Sequence, residues 1–166
     1  GNGIAHVFAL AGYDVVLSDV AGEALERALA TIEKNLGRQA AKGKIAEADV
    51  AAALGRISVS TDLAAFAPCD LVVESATENE AVKRKIFEGV VPQVSKETLL
   101  ATNTSSISIT RLASATDRPE KFMGLHFMNP VPLMPLVELI RGIATDDETF
   151  RTLKGVAEAL GKTTAT

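Results

Sequence analysis

One of only two histidines, His126, stands in an apolar run from Lys121 to Phe127, and one acid, Glu138, stands in a second apolar run from Leu136 to Ile140. An imidazole held by a carboxylate has the makeup of a general base that works near neutral pH. Pro130, Pro132 and Pro135 punctuate the residues between the two runs. Short hydrophobic runs joined by a proline-rich turn read as a hairpin or strand pair. Antiparallel pairing about Pro132 sets His126 opposite Glu138, where facing Cβ atoms lie ~4.5–5.5 Å apart, close enough for an imidazole–carboxylate hydrogen bond. A lone histidine in an apolar run is also a common packed core residue, and composition alone leaves both roles open.

The elements that must carry these residues alternate along the chain. Val15–Asp19 reads as a buried strand, and Ala21 to about Lys42 as a long helix with Leu25, Leu29, Ile32 and Leu36 on one stripe. A short helix over roughly Glu47–Leu54 leads to a strand at Ile57–Ser60, and Leu71–Ser75 is the next strand. Thr77 and Glu80 have the spacing of a capping box that opens a helix to about Val91. Thr98–Thr102 is another strand, followed by a helix near Ile109–Ala115. Thr145 and Glu148 suggest a second capping box and a helix stopping at Gly161. Strands alternating with helices imply an α/β fold: a Rossmann-type, doubly wound, mostly parallel sheet with an antiparallel pair near the C-terminal end.

At 166 residues the chain has the length of one domain, and its 47% hydrophobic and 23% charged composition is that of a globular protein. A net charge of −4 argues against nucleic acid as a partner. No run of apolar residues is long enough to span a membrane, and no signal peptide is evident at GNGIAHVF. A single cysteine, Cys69, suits a reducing compartment, so a cytoplasmic location is expected. Cys69 reads as a packed thiol without chemistry, and no metal site is expected.

The chain opens on GNG directly before a helical pattern at Ile4–Ala11. A dinucleotide fingerprint needs a strand, then G-x-G-x-x-G, then a helix whose N-terminus meets the pyrophosphate. Asp19 closes the strand Val15–Asp19 about where an acid would bond the adenosine ribose hydroxyls and repel a 2′-phosphate, favouring NAD over NADP. A helix-capping role for Asp19 stays open beside that one. Ligands of open α/β sheets sit beyond the carboxyl ends of the strands. Here those ends lead into Glu74–Asn79, Thr102–Ser106 and His126–Asn129, all rich in hydrogen-bonding groups. Taken alone, Lys83 reads as a solvated helix lysine and Asn103–Ser106 as a polar turn.

HFMNPVPLMPLVE, from His126 to Glu138, resembles the catalytic segment of the NAD-dependent 3-hydroxyacyl-CoA dehydrogenases, and the resemblance extends over essentially the whole chain. It implies that His126 takes the hydroxyl proton and Glu138 orients it. It further implies that Glu78 and Lys83, in ENEAVK, line the nicotinamide side. Ser105, in TNTSS, would contact substrate and cofactor, and Asn129 would add a cofactor contact. Gly1 matches the third glycine of the fingerprint, so the first strand is expected to be missing and the domain, 1–166, truncated at its N-terminus. Asn35 and Lys42 match positions that touch coenzyme A. The cofactor implied is NAD and the substrate a 3-hydroxyacyl-CoA, in a bacterial, 3-hydroxybutyryl-CoA-preferring type. In the family a C-terminal helical domain, absent here, supplies a catalytic Asn and most dimer contacts, so a homodimer is expected of the intact enzyme and little activity of these residues alone. The alternatives are the dehydrogenase portion of a multifunctional fatty-acid-oxidation protein and a non-catalytic nucleotide-binding relative.

Overall fold

The computed structural model describes residues 1–166. They divide into two compact units, Gly1–Ala65 with Pro130–Leu133 and Phe66–Asn129 with Met134–Thr166.

In the first unit, helix α1 (Asn2–Leu10) leads to β1 (Val15–Ser18), α2 (Gly22–Ala41), α3 (Glu47–Gly55) and β2 (Ile57–Ser60). β1 and β2 pair in parallel from Val15↔Ile57 to Ser18↔Ser60. Three of the four stripe residues of α2 are buried, Leu25, Ile32 and Leu36, while Leu29 is only half-buried. Ile32 and Leu36 meet Ala5 and Ala9 of α1 and Ala53 of α3, with Val15, Leu17 and Ile57 packed against the cluster. The small side chains let the helices approach closely. Gly3 of α1 meets Val131 in the segment before β6, where an added Cβ would fall 2.9 Å from the Val131 Cβ.

The second unit is built on a five-stranded sheet. Its elements are β3 (Leu71–Glu74), α4 (Glu80–Val90), β4 (Leu99–Thr102), α5 (Ile109–Ala113), β5 (Phe122–Phe127), β6 (Leu136–Arg141), α6 (Asp147–Ala159) and β7 (Thr163–Ala165). The strand order is β3-β4-β5-β6-β7. β3, β4 and β5 are mutually parallel, β6 runs against β5, and β7 runs parallel to β6. The mostly parallel α/β architecture with one antiparallel pair is thus present. Phe87, on α4, and Phe122, on β5, are fully buried and meet edge to face with centroids 4.9 Å apart. A buried phenylalanine stabilises a core by ~1.5–3 kcal/mol.

Two helix starts differ from the expected capping boxes. The N-cap of α4 is Asn79, whose side chain accepts from the Val82 N–H, and not Thr77. The N-cap of α6 is Asp146, accepting from the Thr149 N–H. Thr145 is instead buried and donates its hydroxyl to the Phe122 carbonyl. In each case a short carboxylate or amide nearer the helix outcompetes the threonine. No helix is long and apolar enough to cross a membrane.

Candidate active site

Because β3, β4 and β5 are parallel, their carboxyl ends lie along one edge of the five-stranded sheet. β6 runs the other way, so its beginning meets that edge. The antiparallel register places His126 directly against Glu138, as pairing about Pro132 requires. His126 Nδ1 lies 2.8 Å from Glu138 Oε1. The bond fixes the ring and leaves Nε2 as the nitrogen that can exchange a proton with a ligand. Glu138 is less buried than its apolar run suggests: its side chain is 45% exposed against 19% for His126. It alternates with buried Val137 and Leu139, so it belongs to the more open face of β6.

Behind the loops of this edge runs a chain of charged and hydroxyl groups. Lys83, on α4, is fully buried, so the solvated-lysine reading fails. Its Nζ donates to both oxygens of Glu74, at 3.0 and 2.9 Å, and to the Ala76 carbonyl at 3.3 Å. Glu74, the last residue of β3, also accepts from the Thr102 hydroxyl and the Ala76 N–H, each at 2.6 Å. Lys83 Nζ lies 3.7 Å from Glu78 Oε1. The other oxygen of Glu78 accepts from the Thr104 and Ser106 hydroxyls, at 2.6 and 2.8 Å. Desolvation pushes the Glu78 carboxyl up, but the Thr104 and Ser106 bonds and the Lys83 charge outweigh it and hold the group below its usual value.

These bonds shape the loop that follows β4. Thr104 and Ser106 are tied to Glu78, and Ser105 between them is left exposed. Asn129, just past β5, is exposed as well. α5 follows the loop and lies close to the sheet because Gly124 has no side chain. A Cβ there would fall 2.9 Å from both Ile109 Cδ1 and Ile140 Cβ.

The remaining expected residues belong to the first unit. No side chain caps the start of α1, and no acid stands in its first turn. An uncapped helix N-terminus following Gly1 suits a phosphate group. Asp19 directly follows β1, and one of its carboxylate oxygens accepts from the Ala21 N–H at 3.1 Å. It therefore caps its own turn with one oxygen and keeps a second for a ligand's hydroxyl. This donor set fits the adenosine half of a dinucleotide. Asn35 is half-buried on α2, and Lys42, at the end of the same helix, is exposed. Seven residues are about two helical turns, so both lie on one face. His6 is buried and bonds Gln39 through Nε2 at 2.8 Å, a structural role. Burial and the neighbouring Asp70 charge push the Cys69 thiol up, away from nucleophilic use.

Glu74, Thr102, Asn103, Thr104 and Ser106 stand in the sequence only as members of polar strand-end segments, without individual roles. The available signal was an acid closing the apolar strand LVVE, because such a group requires a buried partner.

The family model described as 3-hydroxyacyl-CoA dehydrogenase, NAD binding domain, matches residues 1–166. A 3-hydroxybutyryl-CoA dehydrogenase of Bradyrhizobium diazoefficiens is 58% identical over 165 residues, which cover 99% of this chain and 56% of that protein. The crystal structure of (S)-3-hydroxybutyryl-CoA dehydrogenase from Ralstonia eutropha matches with a TM-score of 0.97 at 44% identity, covering 100% of this chain and 59% of that one. The corresponding Escherichia coli enzyme has a TM-score of 0.95 at 40% identity, over 98% of this chain and 34% of that one. The chain therefore spans only part of the length of these relatives. A full-length family match, together with the His126–Glu138 pair and the parallel strand ends around it, makes this chain a member of the 3-hydroxyacyl-CoA dehydrogenase family, in its NAD-binding domain.

Proposed function

We propose that this chain is the NAD-binding part of a dehydrogenase that oxidises the C3 hydroxyl of a 3-hydroxyacyl-CoA, with 3-hydroxybutyryl-CoA as the preferred substrate. The observation that carries this reading is the 2.8 Å contact of His126 Nδ1 with Glu138 Oε1 on directly paired residues. His126 Nε2 takes the hydroxyl proton as the C3–O bond becomes a carbonyl. Glu138 holds the ring and offsets the charge that the imidazole gains. NAD, when bound, supplies the acceptor for the hydride leaving C3.

The other residues orient and hold. The N-terminus of α1 beside Gly1 takes the pyrophosphate and Asp19 the ribose hydroxyls. Glu78 and Asn129 offer polar contacts to the nicotinamide half, and the exposed Ser105 hydroxyl serves both substrate and cofactor. Lys83 supports Glu78 from behind, since its own donors are already engaged. Asn35 and Lys42 present an amide and a charge to coenzyme A, Lys42 suiting its phosphates. In the intact enzyme a further helical domain would complete the acyl-CoA site and pair two subunits, in the cytoplasm.

The test is Glu138→Gln in the full-length protein, assayed with 3-hydroxybutyryl-CoA and NAD. The expected result is a kcat lower by ~10²–10⁴-fold with a much smaller change in KM. Near-normal turnover would remove the dyad as the basis of the reading.

A further inference from the structure

The β4–β5 ladder stops at Thr102↔Gly124, yet β5 continues through Leu125 and His126 to Phe127. On its other side β5 stays paired with β6 to the end, at Phe127↔Val137. On the β4 side the backbone partner is replaced by a side chain. Asn103 Oδ1 accepts the Phe127 N–H at 2.8 Å. The Asn103 amide nitrogen donates to Ser75 Oγ at 3.4 Å, and its own backbone N–H donates to the Glu74 carbonyl at 2.8 Å. One residue thus links the carboxyl ends of β3, β4 and β5. The amide orientation follows from chemistry, since a backbone N–H needs an acceptor and only Oδ1 is one.

We propose that Asn103 is a positioning residue for His126. The N–H it holds belongs to the peptide unit joining His126 to Phe127, and a peptide unit moves as a rigid plane. Glu138 holds the imidazole at Nδ1, and Asn103 holds the backbone plane on the carboxyl side of the same residue. The residue is therefore held at two points, its ring nitrogen Nδ1 and its backbone. Asn103 also begins the loop that carries Ser105, so the spacing between that hydroxyl and the His126 strand end depends on the same bond. Asparagine suits the position because it accepts on one side and donates on the other. Aspartate keeps only the acceptor, and alanine keeps neither.

This inference rests on the reading of His126 as the general base, and the experiment separates the two. Asn103→Ala, Asn103→Asp and Glu138→Gln are compared in the full-length protein by kcat, by KM for both substrates and by thermal midpoint. A misplacement of about 1 Å costs on the order of a hundredfold, so N103A should lower kcat by roughly tenfold to a hundredfold while KM moves by less than about threefold. N103D, which retains the acceptor, should recover most of that loss. The imidazole Nδ1–H proton resonance of His126 should shift or broaden in N103A and persist in N103D, a change that a loss of stability alone would not produce. If N103A does not accumulate as folded protein, Asn103→Ser, whose hydroxyl is too short to reach the Phe127 N–H, takes its place. Wild-type kcat in N103A, or equal impairment of N103A and N103D, overturns the proposal while an impaired E138Q leaves the general-base reading standing. Full turnover in E138Q overturns the reading beneath it.

Discussion

Replacing Lys83 with methionine breaks the buried ion pair, together with the weaker Lys83 contacts to the Ala76 carbonyl and Glu78. The lysine is 0% exposed and Glu74 4% exposed, so neither charge has water to fall back on. In Lys83→Met the Glu74 carboxylate keeps its bonds from Thr102 and Ala76 but loses both bonds from the ammonium. Removing one partner of a buried pair costs ~3–5 kcal/mol, because the remaining charge is buried without compensation. For a protein of this size each kcal/mol lowers the thermal midpoint by about 2–4 °C, so the midpoint should fall by roughly 6–20 °C. Against a total stability of ~5–15 kcal/mol the upper part of that range approaches unfolding at room temperature. Thermal and urea unfolding followed by far-UV circular dichroism measures it. The companion variant, Lys83→Met with Glu74→Gln, removes the stranded charge and should be more stable than Lys83→Met alone. A solvated helix lysine would give a change within about 0.5 kcal/mol. That result, or a double variant no better than the single one, would refute the argument.

Asp19→Ala should raise KM for NAD and narrow its advantage over NADP, read from steady-state kinetics with both cofactors, because ribose hydrogen bonds and a charge that repels a 2′-phosphate are lost together; an unchanged ratio would leave Asp19 only its turn-capping bond to Ala21. Gly124→Ala should destabilise by ~1–3 kcal/mol in urea unfolding, because its methyl group would stand 2.9 Å from Ile140 Cβ, a backbone-proximal atom that cannot rotate aside. Hydrogen bonds accepted from Thr149 hold the Asp146 carboxyl below the ordinary aspartate range. Its contribution is therefore present above the ordinary carboxylate range and is lost as pH falls through the lowered folded value, so Asp146→Asn should flatten the acid limb of a stability–pH profile.

The parts of the fold legible in the sequence were those governed by strong periodicity. The strand pair around Pro132 has a register that a one-residue slip would invert, and its hydrophobic pattern excludes such a slip. The same logic made the α2 stripe readable. Lys83 was not legible, because amphipathic spacing carries no information on whether a charged residue finds a buried partner nine positions earlier. β7 was missed for a related reason: three residues, Thr163–Ala165, form a short, largely exposed strand at the sheet edge with no apolar run. Helix starts shifted by one or two residues wherever Ser, Thr, Asn and Asp crowd together, since several can cap and local geometry chooses. The backbone role of Asn103 was likewise invisible, because it depends on where the neighbouring ladder stops.

Glu74, on β3, and Glu138, on β6, show how environment divides two acids of one sheet into different roles. Glu74 accepts four hydrogen bonds, two from Lys83 and one each from Thr102 and Ala76. A carboxylate has about four lone-pair sites, so Glu74 has nothing left to offer a ligand and can only hold structure. Glu138 bonds His126 through one oxygen and is 45% exposed, which leaves it acceptor capacity and solvent to adjust as the imidazole changes charge. A fully desolvated acid would resist such a change, since its partners are fixed to one charge state. The two residues should therefore separate in experiment. Loss of the Lys83–Glu74 pair should act on stability at every substrate concentration, whereas loss of the Glu138 charge should act on turnover with the unfolding midpoint nearly unchanged. A Glu138→Gln protein that lost stability in proportion to activity would place Glu138 with Glu74, as a structural acid.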